Sequence, residues 1–205
     1  MLSRVDLQAI DLFESLNEDQ LDQILDRHRE SSHQADQVIV MEQDWGDSLF
    51  VLCEGLAKVR IYAATGDEVV MSLLGAGDVF GEMAAIDGGT RSADVVALTP
   101  LRLVKLRVPP FAALLKKEAV FALALARLEA SRLRDLNRRF ALQTADATTR
   151  LLDSLAYLAR KEFCSQRSPG VDTSFGATGD RSHRWPGSRN GFAHAEQIAY
   201  TRHSY

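Results

Sequence analysis

The residue types most able to do chemistry lie together in one glycine-rich segment, residues 80–95 (FGEMAAIDGGTRSADV). Glu82 opens a predicted short helical turn after Gly81, and Arg91 follows a glycine pair. Backbone N–H groups at the start of a helix attract an anion, and a guanidinium can close on the same anion with two hydrogen bonds. A carboxylate beside an anion is repelled unless it serves another group, such as a sugar hydroxyl. The segment therefore predicts a ligand that carries a phosphate close to a sugar hydroxyl.

The same residues allow a simpler interpretation, in which Glu82 and Arg91 are solvated charges on the surface of an antiparallel barrel. Their types and spacing alone leave both interpretations open.

Six short apolar runs precede residue 109, and turns rich in glycine and aspartate separate them. Short strands with such turn signals about every 8–12 residues indicate an all-β sandwich or barrel. A parallel sheet would need a helix between successive strands, for which there is no room. The runs are residues 38–41, 48–53, 57–63, 68–74, 93–98 and 102–108.

Helical patterns flank these strands. Before them, apolar residues at helical spacing predict short amphipathic helices, with Asn17 as an N-cap. Residues 111–142 contain no glycine or proline and predict one continuous helix of about 48 Å. Its two apolar stripes favour a partner helix from a second subunit, the alternative being a helix that covers its own sheet. Residues 146–163 predict another amphipathic helix.

Charge is divided unevenly along the chain. Residues 1–100 hold 6 Lys/Arg and 19 Asp/Glu, a balance of −13, whereas residues 101–205 hold 18 and 9, a balance of +9. This asymmetry predicts an acidic module followed by a basic one, with Arg91 as the single cation of the candidate site.

The chain has two cysteines, Cys53 and Cys164. They cannot form a disulfide framework or hold an iron–sulfur cluster by themselves, so no metal is predicted. No secretion signal or membrane-length apolar run is present, which predicts a cytoplasmic protein without membrane contact. The β region carries no cluster of catalytic side chains, so an enzyme is disfavoured.

Residues 10–163 resemble the Crp/Fnr family of bacterial transcription regulators. The resemblance rests on the segment at 80–95, which looks like the family's phosphate-binding cassette, and on residues 146–152 (DATTRLL), where the family's DNA-binding domain opens. A ladder of turn glycines and the long helix add to it. The ladder is Gly55, Gly66, Gly77 and Gly81.

The resemblance implies an α+β fold. A cyclic-nucleotide-binding β jelly roll with N-terminal helices would occupy residues 1–110, and a dimerisation helix residues 111–142. Residues 143–164 would form the first helix of the DNA-binding domain. The implied function is a homodimeric regulator that senses a cyclic nucleotide and binds promoter DNA. The alternative is a stand-alone cyclic-nucleotide-binding module that acts through protein contacts.

The resemblance also assigns the site residues. Glu82 would accept from the ribose 2′-hydroxyl, while Arg91 and Ser92 would hold the cyclic phosphate of cyclic AMP or cyclic GMP. Gly81 supplies the turn, and Met71 and Ser72 would line the sugar and base. Backbone N–H groups would complete the phosphate contacts; they belong to Met83, Ala84, Ser92 and Ala93.

One position departs from the family. In its cyclic-AMP-binding members, hydroxyl side chains of the long helix reach the adenine, partly from the opposite subunit. That place falls here at Asp135 and Leu136. A carboxylate accepts from the adenine 6-amino group and equally from guanine N1 and N2, so the purine stays open. Two cysteines, and no histidine between His33 and His183, disfavour the oxygen-sensing and haem-sensing branches.

Residues 165–205 follow neither a helical nor a strand period and are rich in Gly, Ser, Arg and Pro, as is typical of a disordered segment. They do not resemble the helix-turn-helix that the family places there. Codons compatible with residues 177–205, read from the second base of the Ala177 codon, spell QREIGATGGRVQETALPTLSKLRTRGIL. That string resembles the family's helix-turn-helix, so the sequence predicts that a frameshift has removed the DNA-reading element.

Resequencing the coding DNA tests this hypothesis. We expect codons that spell the helix-turn-helix in the shifted frame, with the change of frame within residues 164–176. Codons that spell an unrelated sequence in that frame would refute it.

Overall fold

The structure is a computed structural model, and it describes residues 2–165. Two four-stranded antiparallel sheets form a sandwich, in the orders β1-β8-β3-β6 and β2-β7-β4-β5. This confirms the predicted α+β jelly roll followed by a long helix. The predicted tail lies outside the described residues from residue 166 onward. The strands are β1 (Arg29–His33), β2 (Val38–Val40), β3 (Ser48–Glu54), β4 (Ala57–Tyr62), β5 (Glu68–Leu74), β6 (Val79–Phe80), β7 (Asp94–Ala97) and β8 (Leu101–Arg107).

Each of the six predicted apolar runs forms a strand with nearly the expected bounds. Two further strands were not predicted. β1 has the polar sequence RESSH and lies at a sheet edge, where only β8 pairs with it. β6 has two residues, too few to show a period. Pairing with neighbouring strands, not side-chain pattern, makes these segments extended.

The sheet that contains β3 is buried on both faces. Leu49 and Val51 belong to the core between this sheet and the helices, and Phe50 and Leu52 belong to the core between the two sheets. Successive side chains of a strand point to opposite faces, so a strand covered on both sides needs apolar residues throughout. This explains the unbroken apolar run at residues 49–53.

Within residues 2–165, six α-helices flank or interrupt the sandwich. The predicted N-cap is confirmed, since the Asn17 side chain accepts from the backbone N–H of Gln20 in a capping box. The helices are α1 (Arg4–Gln8), α2 (Glu18–Leu25), α3 (Met83–Asp87), α4 (Val108–Lys117), α5 (Ala119–Ala141) and α6 (Ala147–Ser165).

The continuous helix predicted over residues 111–142 is divided at Glu118, whose backbone is extended. The division lets α4 and α5 pack on one core with Phe13. The rings of Phe111 and Phe121 lie 5.3 Å apart in an edge-to-face contact, and Phe13 contacts both. Ten residues of straight helix would separate the same positions by about 15 Å. Burial of the aromatic rings therefore favours a break at Glu118 over one continuous helix, even though no glycine or proline lies there.

The two predicted apolar stripes of α5 have different surroundings. Phe121 and Leu125 are buried in this core, whereas Leu133 and Phe140 are 58% and 73% exposed. The far half of α5 thus presents apolar side chains that the described part of the chain does not cover. None of the described helices is long and apolar enough to cross a membrane.

The aromatic cluster predicts a large stability difference between a buried and an exposed truncation. Phe111→Ala should lower the free energy of unfolding by about 3–5 kcal/mol, because it removes a fully buried ring. Val5→Ala is the control, since Val5 is 71% exposed, and should change it by less than about 0.5 kcal/mol. Urea unfolding of both variants measures the difference, and equal midpoints would contradict the assigned core.

Candidate ligand site

Gly81 and Arg91 are packed directly against each other after β6. Gly81 has a φ of +81°, and a Cβ built on it would lie 2.5 Å from Arg91 Nη1. Any other residue would meet both the strained backbone and the guanidinium. Glycine at this position is therefore what allows the arginine to enter.

Arg91 is buried, with 7% of its surface exposed. Its Nη1 donates to the Gly81 carbonyl at 2.9 Å and its Nη2 to the Ser48 carbonyl at 2.6 Å, and its guanidinium carbon lies 5.6 Å from the Phe50 ring centroid. Burial lowers the pKa of Arg91, and the negative charge of Asp47 opposes this most.

The positive charge of Arg91 forms no ion pair with any carboxylate in the part of the chain that the structure describes. A buried cation bound only by neutral carbonyls attracts an anion.

Glu82 is more deeply buried, with 3% of its surface exposed. Oε1 accepts from Arg132 Nη1 at 2.8 Å. Oε2 is buried and has no hydrogen-bond donor within the described range. A buried carboxylate oxygen without a donor costs free energy unless a ligand supplies one.

Arg132 is a second cation at this site, so the prediction that Arg91 is the single one is wrong. Arg132 comes from α5 in the basic half of the chain, and its Nη2 also donates to the Val79 carbonyl. Its Nη1 reaches Glu129 Oε1 at 3.0 Å as well as Glu82. The sequence pattern did not predict Arg132 because it lies 50 residues from Glu82 in sequence, and only tertiary packing brings α5 to that carboxylate.

Glu129 lies one turn before Arg132 on α5. Burial raises the pKa of Glu129, and the negative charge of Glu82 raises it further, while Arg132 opposes both effects. Two carboxylates and one arginine thus meet where the sequence predicted a single carboxylate.

The other cassette residues lie around α3. Met83 and Ser92 are neighbours at the surface, with Ser92 Oγ 3.6 Å from Met83 Sδ. Ala84 is buried beneath Gly46, where an added Cβ would approach the Ala84 Cβ to 2.0 Å. Ala93 is partly buried before β7. The first N–H groups of any α-helix lack an intrahelical acceptor, and here they belong to Met83 and Ala84.

Met71 and Ser72 lie on β5, at the edge of its sheet. The pairing of β4 with β5 shifts register beside Met71, whose carbonyl accepts from Arg139 Nη1 at 2.8 Å. The Arg139 guanidinium stacks over the Tyr157 ring at 4.1 Å. Both β5 residues are half-buried. No hydrogen bond among the described residues joins either of them to Glu82 or Arg91.

Asp135 is half-buried on α5, between Arg132 and Arg139 in sequence. Residues three and four apart share one helix face, so these three positions face the same side of α5. No hydrogen bond or ion pair joins Asp135 to another described residue. Leu136 is also half-buried.

These contacts place a group of hydrogen-bond donors, around Arg91, next to a hydrogen-bond acceptor, the Glu82 carboxylate. Arg91 with the α3 N–H groups can bind an anion, and Glu82 Oε2 can accept from a hydroxyl. Within residues 2–165 no group of His, Cys, Asp and Glu side chains could hold a metal ion.

Comparison with known proteins gives the same picture of the β region. The profile of the cyclic nucleotide-binding domain matches residues 30–118. The cyclic AMP receptor protein of Thermus thermophilus is 31% identical over 153 residues, which cover 73% of this chain and 70% of that protein. A cyclic nucleotide-gated potassium channel of Rhizobium etli is 39% identical over 103 residues, 50% of this chain and 27% of the channel.

One solved structure extends the likeness beyond the β region. The crystal structure of the Thermus thermophilus catabolite activator protein aligns with a TM-score of 0.54 and 30% identity, over 65% of this chain and 63% of that one. The chain thus spans less than two thirds of the solved structure. The chain contains a cyclic nucleotide-binding domain and belongs to the family of the cyclic AMP receptor protein.

Proposed function

We propose that this site binds a cyclic purine mononucleotide. The observation that carries the proposal is that two buried groups lack partners among the described residues. The Glu82 Oε2 atom has no hydrogen-bond donor, and the Arg91 guanidinium has no paired carboxylate. A cyclic nucleotide brings one hydroxyl and one anionic phosphate on the same ribose. It would satisfy both groups at once.

In this proposal the ribose 2′-hydroxyl donates to Glu82, while Arg91 and the Ser92 hydroxyl hold the cyclic phosphate. Two of the five guanidinium N–H groups of Arg91 donate to the Gly81 and Ser48 carbonyls, which leaves three for the phosphate. Backbone N–H groups would add to the phosphate contacts. They belong to Met83, Ala84, Ser92 and Ala93.

The base would lie between β5 and α5, with Met71 and Ser72 on one side and Asp135 on the other. The hydrogen bond from Arg139 to Met71 supports this, because it joins these two elements beside the proposed pocket. The Asp135 carboxylate would accept from the amino group of either purine. The comparison of cyclic AMP with cyclic GMP therefore belongs in the first experiment.

We further propose that the chain is the sensing part of a homodimeric, DNA-binding transcription regulator. The exposed Leu133 and Phe140 side chains support a helix partner for α5 from a second subunit. The likeness to the Thermus receptor protein supports the regulatory role. The likeness to the channel favours the alternative, a binding module that acts through protein contacts.

Isothermal titration calorimetry with cyclic AMP and cyclic GMP tests the binding proposal. The wild-type chain should release or absorb heat with at least one of them. Glu82→Gln and Arg91→Lys should each weaken binding about 10- to 100-fold, because each loses a hydrogen bond that involves a charged group.

Glu54→Gln and Arg107→Lys are the matched controls, since each makes the same chemical change at an exposed position in a surface ion pair. Both should bind as the wild type does. Thermal unfolding of all variants separates lost binding from lost folding. No heat with either nucleotide would refute the proposal.

A gel shift separates the regulator from the stand-alone module. The probe is a pool of duplexes with two-fold symmetric, randomised half-sites about one helical turn apart. We expect no shift from the chain as given and a nucleotide-dependent shift once the frame over residues 177–205 is repaired. Light scattering should give a dimer for both forms.

The opposite outcomes are equally informative. A shift by the chain as given would contradict the predicted loss of the DNA reader. A repaired dimer that never shifts the pool would favour the module that acts through protein contacts.

A further inference from the structure

Two carboxylates at the proposed nucleotide site share one arginine nitrogen. Arg132 Nη1 lies 2.8 Å from Glu82 Oε1 and 3.0 Å from Glu129 Oε1. The Glu82 side chain is 4% exposed and that of Glu129 is 33% exposed. Two negative charges therefore face one positive charge in a place largely shielded from water.

The same nitrogen of Arg132 serves both carboxylates. Arg132 Nη2 donates to the carbonyl of Val79 in β6, which anchors the guanidinium. Arg132 Nη1 donates to the carboxylates of Glu82 and Glu129. The charged groups that act most strongly on Glu129 are Glu82, at the start of α3, and Arg132, on α5 itself. Like charges this close disfavour the doubly ionised state.

We propose that Glu129 is a further residue of the nucleotide site and that it takes up a proton from solvent when the nucleotide binds. The inference rests on the proposed function. Glu129 acts through Arg132 and Glu82, so it is a positioning residue. In the step, one solvent proton joins a Glu129 carboxylate oxygen, and no other bond changes.

Three effects send the proton to Glu129. A proton on Glu82 would weaken the hydrogen bond that its carboxylate accepts from the ligand hydroxyl, whereas a proton on Glu129 leaves that hydrogen bond intact. The ligand also brings an anionic phosphate, and it covers the site and removes water from it. Each effect disfavours a second carboxylate, and burial together with the charge of Glu82 already raises the pKa of Glu129 in the free protein.

The sign of the pH dependence follows from this uptake. The bound state holds more protons than the free state, so affinity rises as pH falls. The steepest change is about tenfold per pH unit, which corresponds to uptake of one proton. The affinity stops rising with falling pH once Glu129 is protonated in both the free and the nucleotide-bound protein.

Calorimetry of the full chain with cyclic AMP and with cyclic GMP, in two buffers of different ionisation enthalpy, counts the protons directly. At about pH 6 and about pH 8 the wild-type heat should differ between buffers, by up to about one proton per site. Glu129→Gln should still bind, with the same heat in both buffers and an affinity several-fold above the wild type at the higher pH. Because the wild-type comparison needs no variant, it stands even if Glu129→Gln folds poorly.

Glu54→Gln is the control, because it removes a carboxylate paired with Arg102 away from the site. It should keep the wild-type difference between buffers. Heat that is identical in both buffers for the wild type overturns the inference and leaves the proposed function intact, as does a difference that persists in Glu129→Gln. No heat with either nucleotide in any buffer overturns the proposed function and the inference with it.

Discussion

The entry of the Arg91 guanidinium against Gly81 is the constraint on which the site depends. A buried cation must be held by polar groups, and here the holders are backbone carbonyls of Gly81 and Ser48. Ser48 begins β3, the strand that is buried on both faces, so the arginine is held by a central strand of the sandwich. Because neutral carbonyls hold Arg91, its positive charge stays available to an anion. An ion pair with a neighbouring carboxylate would have weakened that attraction.

The same segment commits Glu82 to the opposite role. Glu82 is buried at the start of α3, and its Oε1 accepts a hydrogen bond from Arg132 of α5. The acidic half of the chain thus contributes the carboxylate and the basic half the arginine that steadies it. Because α5 also carries the exposed Leu133 and Phe140, the helix that completes the site also presents apolar side chains at its surface.

The division of the long helix at Glu118 shows how packing overrides a local pattern. Its sequence favours continuity, yet three phenylalanine rings from separate segments meet only if the chain turns there. Burial of such rings contributes several kcal/mol, more than the helical hydrogen bonds lost at one turn. α4 then covers the sandwich and α5 extends past it. This is how Glu129, Arg132 and Arg139 reach the region of α3 and β5.

Local pattern was enough to predict the six apolar strands, the Asn17 cap and the grouping of Gly81, Glu82 and Arg91, because strand alternation, capping and a tight glycine turn each act over a few residues. It could not predict the polar β1, which is extended only because β8 pairs with it. Nor could it predict that Arg132 and Glu129 belong to the site, because both are far from Glu82 in sequence and a local pattern carries no information on contacts at that separation. The sequence by itself determined the chemical types at the site and the short segment that carries most of them. Only the tertiary structure decided which charges meet, because contacts between distant segments depend on how the core packs.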